Sequence, residues 1–91
     1  MKRYEEEIRV TNKVGLHARP ATIFVQTARK FKSKIFVEKD GKRVNAKSLL
    51  ELLALDICYG DNIKIIAEGE DSDIAIKELT RLVKSRLSKE S

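Results

Sequence analysis

The chain has 91 residues, with 19 basic side chains against 14 acidic ones and a net charge of +5. Its 42% hydrophobic and 36% charged residues favour a folded globular chain over intrinsic disorder. A chain of this length reads as one domain, residues 1–91, whose core is too modest for a deep multi-substrate active site.

Met1 to Glu7 is charged and has no apolar leader, and no run reaches membrane-spanning length. The expectation is a cytoplasmic protein with no membrane partner. Tyr4 to Val10 reads as a strand with Tyr4, Ile8 and Val10 on one face, interrupted by Glu6. Thr11 to Leu16 is polar, contains Gly15 and reads as a loop. From Ala18 to about Phe31, the apolar residues Ala21, Phe24, Val25, Ala28 and Phe31 fall at helical spacing. Pro20 lies in the first turn of that helix, where a missing N–H costs nothing.

Ile35 to Glu38 predicts a strand, and Asp40-Gly41 a type I′ turn into a return strand, Lys42 to Asn45. Ser48-Leu49-Leu50-Glu51 matches a capping box, followed by a short helix to about Leu55. Gly60-Asp61 makes a turn, and Ile63, Ile65 and Ala67 alternate in a further strand. Asp71 to Leu87 predicts a last helix with the apolar stripe Ile76, Leu79, Leu82, Val83 and Leu87. Glu70, Asp71 and Asp73 at its start and Lys84, Arg86 and Lys89 at its end suit the helix dipole.

Each helix has a single apolar stripe and needs one sheet face to cover. The expected fold is α+β: a two-layer open-faced sandwich, with a four-stranded antiparallel sheet, three helices on one face and water on the other.

The single histidine sits in the run Gly15-Leu16-His17-Ala18-Arg19-Pro20-Ala21-Thr22, where a loop turns into a helix. A helix start attracts anions because its first N–H groups have no partners inside the helix, and its positive end disfavours an imidazolium. A neutral imidazole is a nucleophile. The segment therefore joins a nucleophilic ring, a cation at Arg19 and a backbone anion site, which suggests phosphate chemistry on His17. A histidine alone at a helix start is ordinarily a cap, and Arg19 alone a solvated charge. Thr11 and Asn12, in the preceding loop, are candidates to contact the phosphate or cap the helix.

Ser48 has two readings, a plain N-cap or a modification site. The single Cys58 excludes an internal disulfide. One cysteine and one histidine are too few for an ordinary structural zinc site, so no metal or cofactor is expected. The basic excess fits solvated lysines or attraction to acidic proteins. Nucleic acid ranks third, because no glycine-arginine or aromatic-basic motif accompanies the charge.

The element order and these motifs resemble the HPr phosphocarrier family of the bacterial sugar phosphotransferase system. The match runs over nearly the whole chain. It is strongest in the histidine run, in Val25-Gln26-Thr27-Ala28, and in Val44-Asn45-Ala46-Lys47-Ser48-Leu49. The resemblance implies a carrier that takes a phosphoryl group from phospho-enzyme I, itself charged by phosphoenolpyruvate, and passes it to IIA domains of sugar permeases. His17 matches the phosphorylated histidine, with Nδ1 as acceptor atom, and Arg19 the arginine that assists transfer. Ser48 matches a regulatory serine modified by the ATP-dependent HPr kinase/phosphorylase, whose product is a corepressor for a catabolite control protein. A regulatory paralogue, acting mainly as a binding partner, is the alternative. Members specialised in that way can lack the histidine that this chain keeps.

A carrier of this kind needs an exposed face that fits several partners, and a monomer is expected. Leu16, Leu49 and Leu53 are the candidate apolar contacts, with Leu50 beside them, and Arg19, Lys42 and Lys47 a candidate basic rim. Where relatives often have Met, Gly, Met and Gly, this chain has Leu50, Glu51, Leu53 and Asp56. These departures bear on recognition of Ser48 and leave the His17 run untouched.

Overall fold

In the computed structural model, which describes residues 2–86, the apolar alternation of the sequence becomes one antiparallel sheet. The elements are β1 (Arg3–Arg9), α1 (Ala18–Ala28), β2 (Lys34–Lys39), β3 (Lys42–Asn45), α2 (Leu49–Ala54), β4 (Asn62–Glu68) and α3 (Ser72–Arg81). A π-helical stretch, Leu82–Arg86, continues α3. The strand order is β1-β4-β2-β3, so the last strand in sequence lies inside the sheet, between the first two. That placement suits its composition, since Ile63, Ile65, Ile66 and Ala67 are all buried.

The register sets the two faces. Ile8 opposes Ile63, Val37 opposes Ile65, Ile35 opposes Ala67, and Val44 opposes Val37. These residues join Leu16, Phe24, Ala28, Leu52, Ile76 and Leu79 in a single core beneath the three helices. The opposite face carries alternating charge, with Arg3 paired to Glu5 and Glu68, Lys64 to Glu5, and Arg43 to Glu38. Ile66, between Glu5 and Phe36 in the register, is fully buried there, and Arg43 lies 5.7 Å over the Phe36 ring. The two-layer α+β sandwich expected from the helix stripes is the observed fold.

Several boundaries differ from the sequence reading. Tyr4 shares the helix-side face of β1 with Ile8 but is 46% exposed, because β1 is an edge strand. Helix α1 ends at Ala28, not near Phe31. The chain closes there with tighter bonds, Lys30 N–H to Thr27 O and Phe31 N–H to Ala28 O, while Phe31 still packs on the core. The expected long last helix is α-helical only to Arg81 and then changes to the π form. Leu87, Lys89 and the side chain of Arg86 lie outside the described residues.

The Asp40-Gly41 turn is as expected. Both residues have positive φ, +52° and +80°, as a type I′ turn between β2 and β3 requires. Asp71 precedes α3 but makes no side-chain cap to it. Its carboxylate instead accepts from the N–H groups of Lys32 and Ser33, each at 2.9 Å, and from the Ser33 hydroxyl. The start of α3 is thereby tied to the entrance of β2.

Candidate functional site

The loop before α1 is placed by two glycine-dependent features. Gly15 has φ +72° and packs so closely on the Ile57–Cys58 backbone that a Cβ would lie 2.3 Å from the Ile57 carbonyl oxygen. Leu16 N–H then donates to that same oxygen at 3.0 Å. Leu16 is fully buried, which corrects its assignment as a docking residue: it anchors the loop in the core. Asn12 is also buried, and its amide nitrogen donates to Gly15 O, so it braces the loop from inside. Asn12 neither caps α1 nor reaches the surface.

His17 follows as the residue before α1, extended at φ −120° and ψ 161°, with no side-chain cap to the helix. Its side chain is 34% exposed. Ala18 has φ +49°, a left-handed conformation that costs a residue with a Cβ about 1–2 kcal/mol. This turn sends the chain into α1. Arg19 is exposed in the first turn, and Pro20 is buried beside it. Pro20 contributes no N–H, and Ala21 N–H reaches His17 O at 3.5 Å. The amides without an acceptor inside the helix are therefore those of residues 17–19.

Two neighbours of the ring come from forty residues away, in the turn between α2 and β4. Nε2 of His17 lies 3.4 Å from Oδ1 of Asp56 and 3.7 Å from Sγ of Cys58. The Cys58 thiol lies 3.8 Å from the same Asp56 oxygen and donates to the Asp56 carbonyl at 3.4 Å. A carboxylate facing Nε2 favours the proton on that nitrogen, which leaves the lone pair on Nδ1. Burial, followed by the charges of Asp56 and Asp61, pushes the Cys58 thiol up from its ordinary value. It is a protonated thiol at neutral pH and a poor nucleophile.

The turn carrying these groups is clamped. Lys39 Nζ donates to Asp56 O at 2.7 Å and Leu55 O at 3.3 Å, and pairs with Asp61 at 2.9 Å. Asp61 also accepts from Cys58 N–H at 2.8 Å. The bonds from Cys58 N–H and Lys39 hold the Asp61 carboxyl below the usual carboxylate range, and the bond to Asp61 raises Lys39. Asp56 has φ +51°, just past the end of α2, a place where glycine is the ordinary residue. Asp56 stands where relatives often have glycine, and nothing in the sequence pattern links it to His17. Its signal was an acidic residue in a glycine's position.

Ser48 caps α2, its hydroxyl accepting from Glu51 N–H at 3.3 Å. The reciprocal half of the capping box is absent. Glu51 instead accepts from Asn45 N–H at 3.0 Å, and Ser48 N–H donates to Asn45 O at 3.1 Å. Arg29 and Phe31, at the far end of α1, hold Lys47 through its carbonyl at 2.9 Å and its ammonium at 2.6 Å. Ser48 and His17 thus occupy opposite ends of the α1–α2 pair, roughly 12 Å apart along the α2 axis.

Between them, α2 presents Leu50, 83% exposed, and Leu53, 36% exposed. Leu49 is half-buried against the core, so Leu50, not Leu49, is the outermost apolar residue. Lys47 is turned inward to Phe31 O and adds little to a basic rim, whereas Arg19 and Lys42 are exposed.

The fold and this arrangement define a class: an open-faced sandwich that presents a half-exposed histidine at the start of a helix. The family described as "PTS HPr component phosphorylation site" matches residues 4–85. HPr-like protein Crh of Bacillus subtilis is 43% identical over 83 residues, 91% of this chain and 98% of its own length. Phosphocarrier protein HPr of Borreliella burgdorferi is 48% identical over 71 residues, 78% of this chain and 83% of its own. A crystal structure of HPr-C-His from Thermoanaerobacter tengcongensis superposes with a TM-score of 0.90 at 51% identity, covering 92% of this chain and 94% of that one. The chain belongs to the HPr phosphocarrier family of the phosphotransferase system. No helix among the described residues is long and apolar enough to cross a membrane.

Proposed function

We propose that the chain is a single-domain cytoplasmic phosphocarrier in which Nδ1 of His17 accepts a phosphoryl group from phospho-enzyme I and passes it to IIA domains of sugar permeases. The observation that carries this reading is the orientation of the ring: Nε2 faces Asp56 and Cys58, which leaves Nδ1 as the acceptor. In the forward step the Nδ1 lone pair forms a bond to phosphorus as the bond to the donor breaks. In the second step the Nδ1–P bond breaks toward the acceptor. The backbone amides of residues 17–19 and the Arg19 guanidinium, at the start of α1, supply donors and positive charge for the transferred group. The exposed Leu50 and Leu53 offer an apolar docking strip beside it, with Leu49 half-buried at its edge. The carrier acts as a monomer, on protein partners and not on nucleic acid.

Ser48 is the second phosphate site in this reading, modified by the HPr kinase/phosphorylase, with a catabolite control protein as partner of the modified form. Phosphate at the α2 N-terminus suits the helix dipole, and the neighbouring Glu51 carboxylate opposes it. The regulatory-paralogue reading is favoured by one finding, the 43% identity to the HPr-like protein Crh over 98% of that protein's length.

Incubation with phosphoenolpyruvate, magnesium and enzyme I separates the two. A carrier takes an acid-labile label that His17→Ala abolishes. No label on the parent, or equal label on His17→Ala, contradicts the carrier reading. With ATP and the kinase, acid-stable label should be lost in Ser48→Ala, and label that persists there rejects Ser48.

A further inference from the structure

His17, Asp56 and Cys58 bring an imidazole nitrogen, a carboxylate oxygen and a thiol sulfur to one point, all within 4.8 Å of one another. We infer that these three groups form a binding site for a divalent transition-metal ion of the zinc type. The edges of the donor triangle are 3.4 Å for N–O, 3.7 Å for N–S and 3.8 Å for O–S. Three ligands on one face of a tetrahedral zinc ion, at ordinary bond lengths, stand about 3.4, 3.6 and 3.6 Å apart. The triangle therefore closes on an ion with shifts of only a few tenths of an ångström.

The donor set also selects the ion. Imidazole and thiolate suit zinc and its neighbours, whereas magnesium and calcium require oxygen ligands. A carboxylate supplies the third ligand that a count of cysteine and histidine leaves out. The site is exposed, with Asp56 77% accessible and His17 34%, so the fourth position opens to solvent. The supporting frame is already in place. The Lys39–Asp61 clamp holds the Asp56–Cys58 turn, and the close approach of Gly15 fixes His17 against it.

Binding has a definite proton balance. The Cys58 thiol gives its proton to solvent as sulfur takes the metal. Nε2 must offer a lone pair, so the neutral ring then carries its proton on Nδ1. A metal on Nε2 thereby removes the lone pair that Nδ1 would use to accept a phosphoryl group. This consequence, a metal-gated carrier, rests on the reading of His17 as phosphoryl acceptor; the metal site does not.

Cobalt(II) and zinc, added alone to the full chain, test the site. The expected result is one cobalt per chain with a thiolate-to-cobalt charge-transfer band that zinc displaces. Cys58→Ala should abolish the band and weaken zinc binding by more than about tenfold. Asp56→Gly, which places glycine at φ +51°, should keep the band and weaken zinc similarly. Circular dichroism checks that both variants are folded. Absence of the band, or unchanged zinc affinity in both folded variants, overturns the site and shows a hydrogen-bonded cluster only. Gating is read separately, from phosphoryl labelling with and without zinc. Slower labelling of the parent than of Cys58→Ala supports it. Equal slowing of both means that zinc acts on the donor enzyme, and overturns it.

Discussion

Gly15, Ala18 and Asp56 all hold positive φ, at +72°, +49° and +51°; the first two lie within two residues of His17 in the chain, and Asp56 faces its ring. A left-handed residue with a Cβ costs about 1–2 kcal/mol, so two of these positions store strain close to His17. Gly15 differs, because only a residue without a Cβ fits against the Ile57 carbonyl. Gly15→Ala is expected to destabilise the chain by about 2–4 kcal/mol in denaturant unfolding and to move His17 away from Asp56. A loss below about 1 kcal/mol would mean that the loop relaxes freely and does not position the ring. The residues that frame the ring were hidden from the sequence for a plain reason. Asp56 and Cys58 lie about forty positions from His17, and no periodicity links them to it. Leu16 was misplaced for the related reason that a leucine in a polar loop looks like a surface contact, whereas here it plugs the core.

Helix ends carry most of what distinguishes the elements from their sequence reading. The strands were legible because alternation in Ile63, Ile65 and Ala67, and the Asp40-Gly41 turn, fix both face and register. The helix stripes were legible for the same kind of reason, but their termini depend on distant partners. Phe31 extends the apolar spacing of α1 beyond its last helical residue because a turn also delivers it to the core. Glu51 leaves the capping box because Asn45 N–H, at the end of β3, takes its carboxylate. The Asp71 carboxylate likewise serves the α1–β2 connection, while its backbone carbonyl accepts from Ala75 N–H in α3. Its bonds from Ser33 Oγ–H, Lys32 N–H and Ser33 N–H hold its carboxyl below the usual range. A depressed carboxyl contributes stability that is present above its unfolded value, about 3.9, and lost as pH falls through the lower folded value. Asp71→Asn should therefore be less stable than the parent at neutral pH, and the gap should narrow as pH falls below about 4. A gap that stays constant from neutral pH down into that range would show that the charge of Asp71 is not what holds the two elements together.

The molecule as a whole spreads its charge unevenly in kind. The open sheet face pairs its charges, Arg3 with Glu5 and Glu68 and Arg43 with Glu38, so it exerts little net field. The net charge of +5 favours the approach of an acidic partner over a basic one. If encounter with the phosphoryl donor is steered in this way, the rate of labelling at low protein concentration should fall by about tenfold from low to high salt. A rate indifferent to salt would assign docking to Leu50 and Leu53 alone. With the chain labelled with nitrogen-15 in histidine and charged by phosphoenolpyruvate and enzyme I, long-range proton–nitrogen correlation spectra identify the phosphorylated nitrogen of His17. Phosphate is expected on Nδ1, with Nε2 left facing Asp56. Phosphate on Nε2, or an unmodified ring after full incubation, would contradict this assignment.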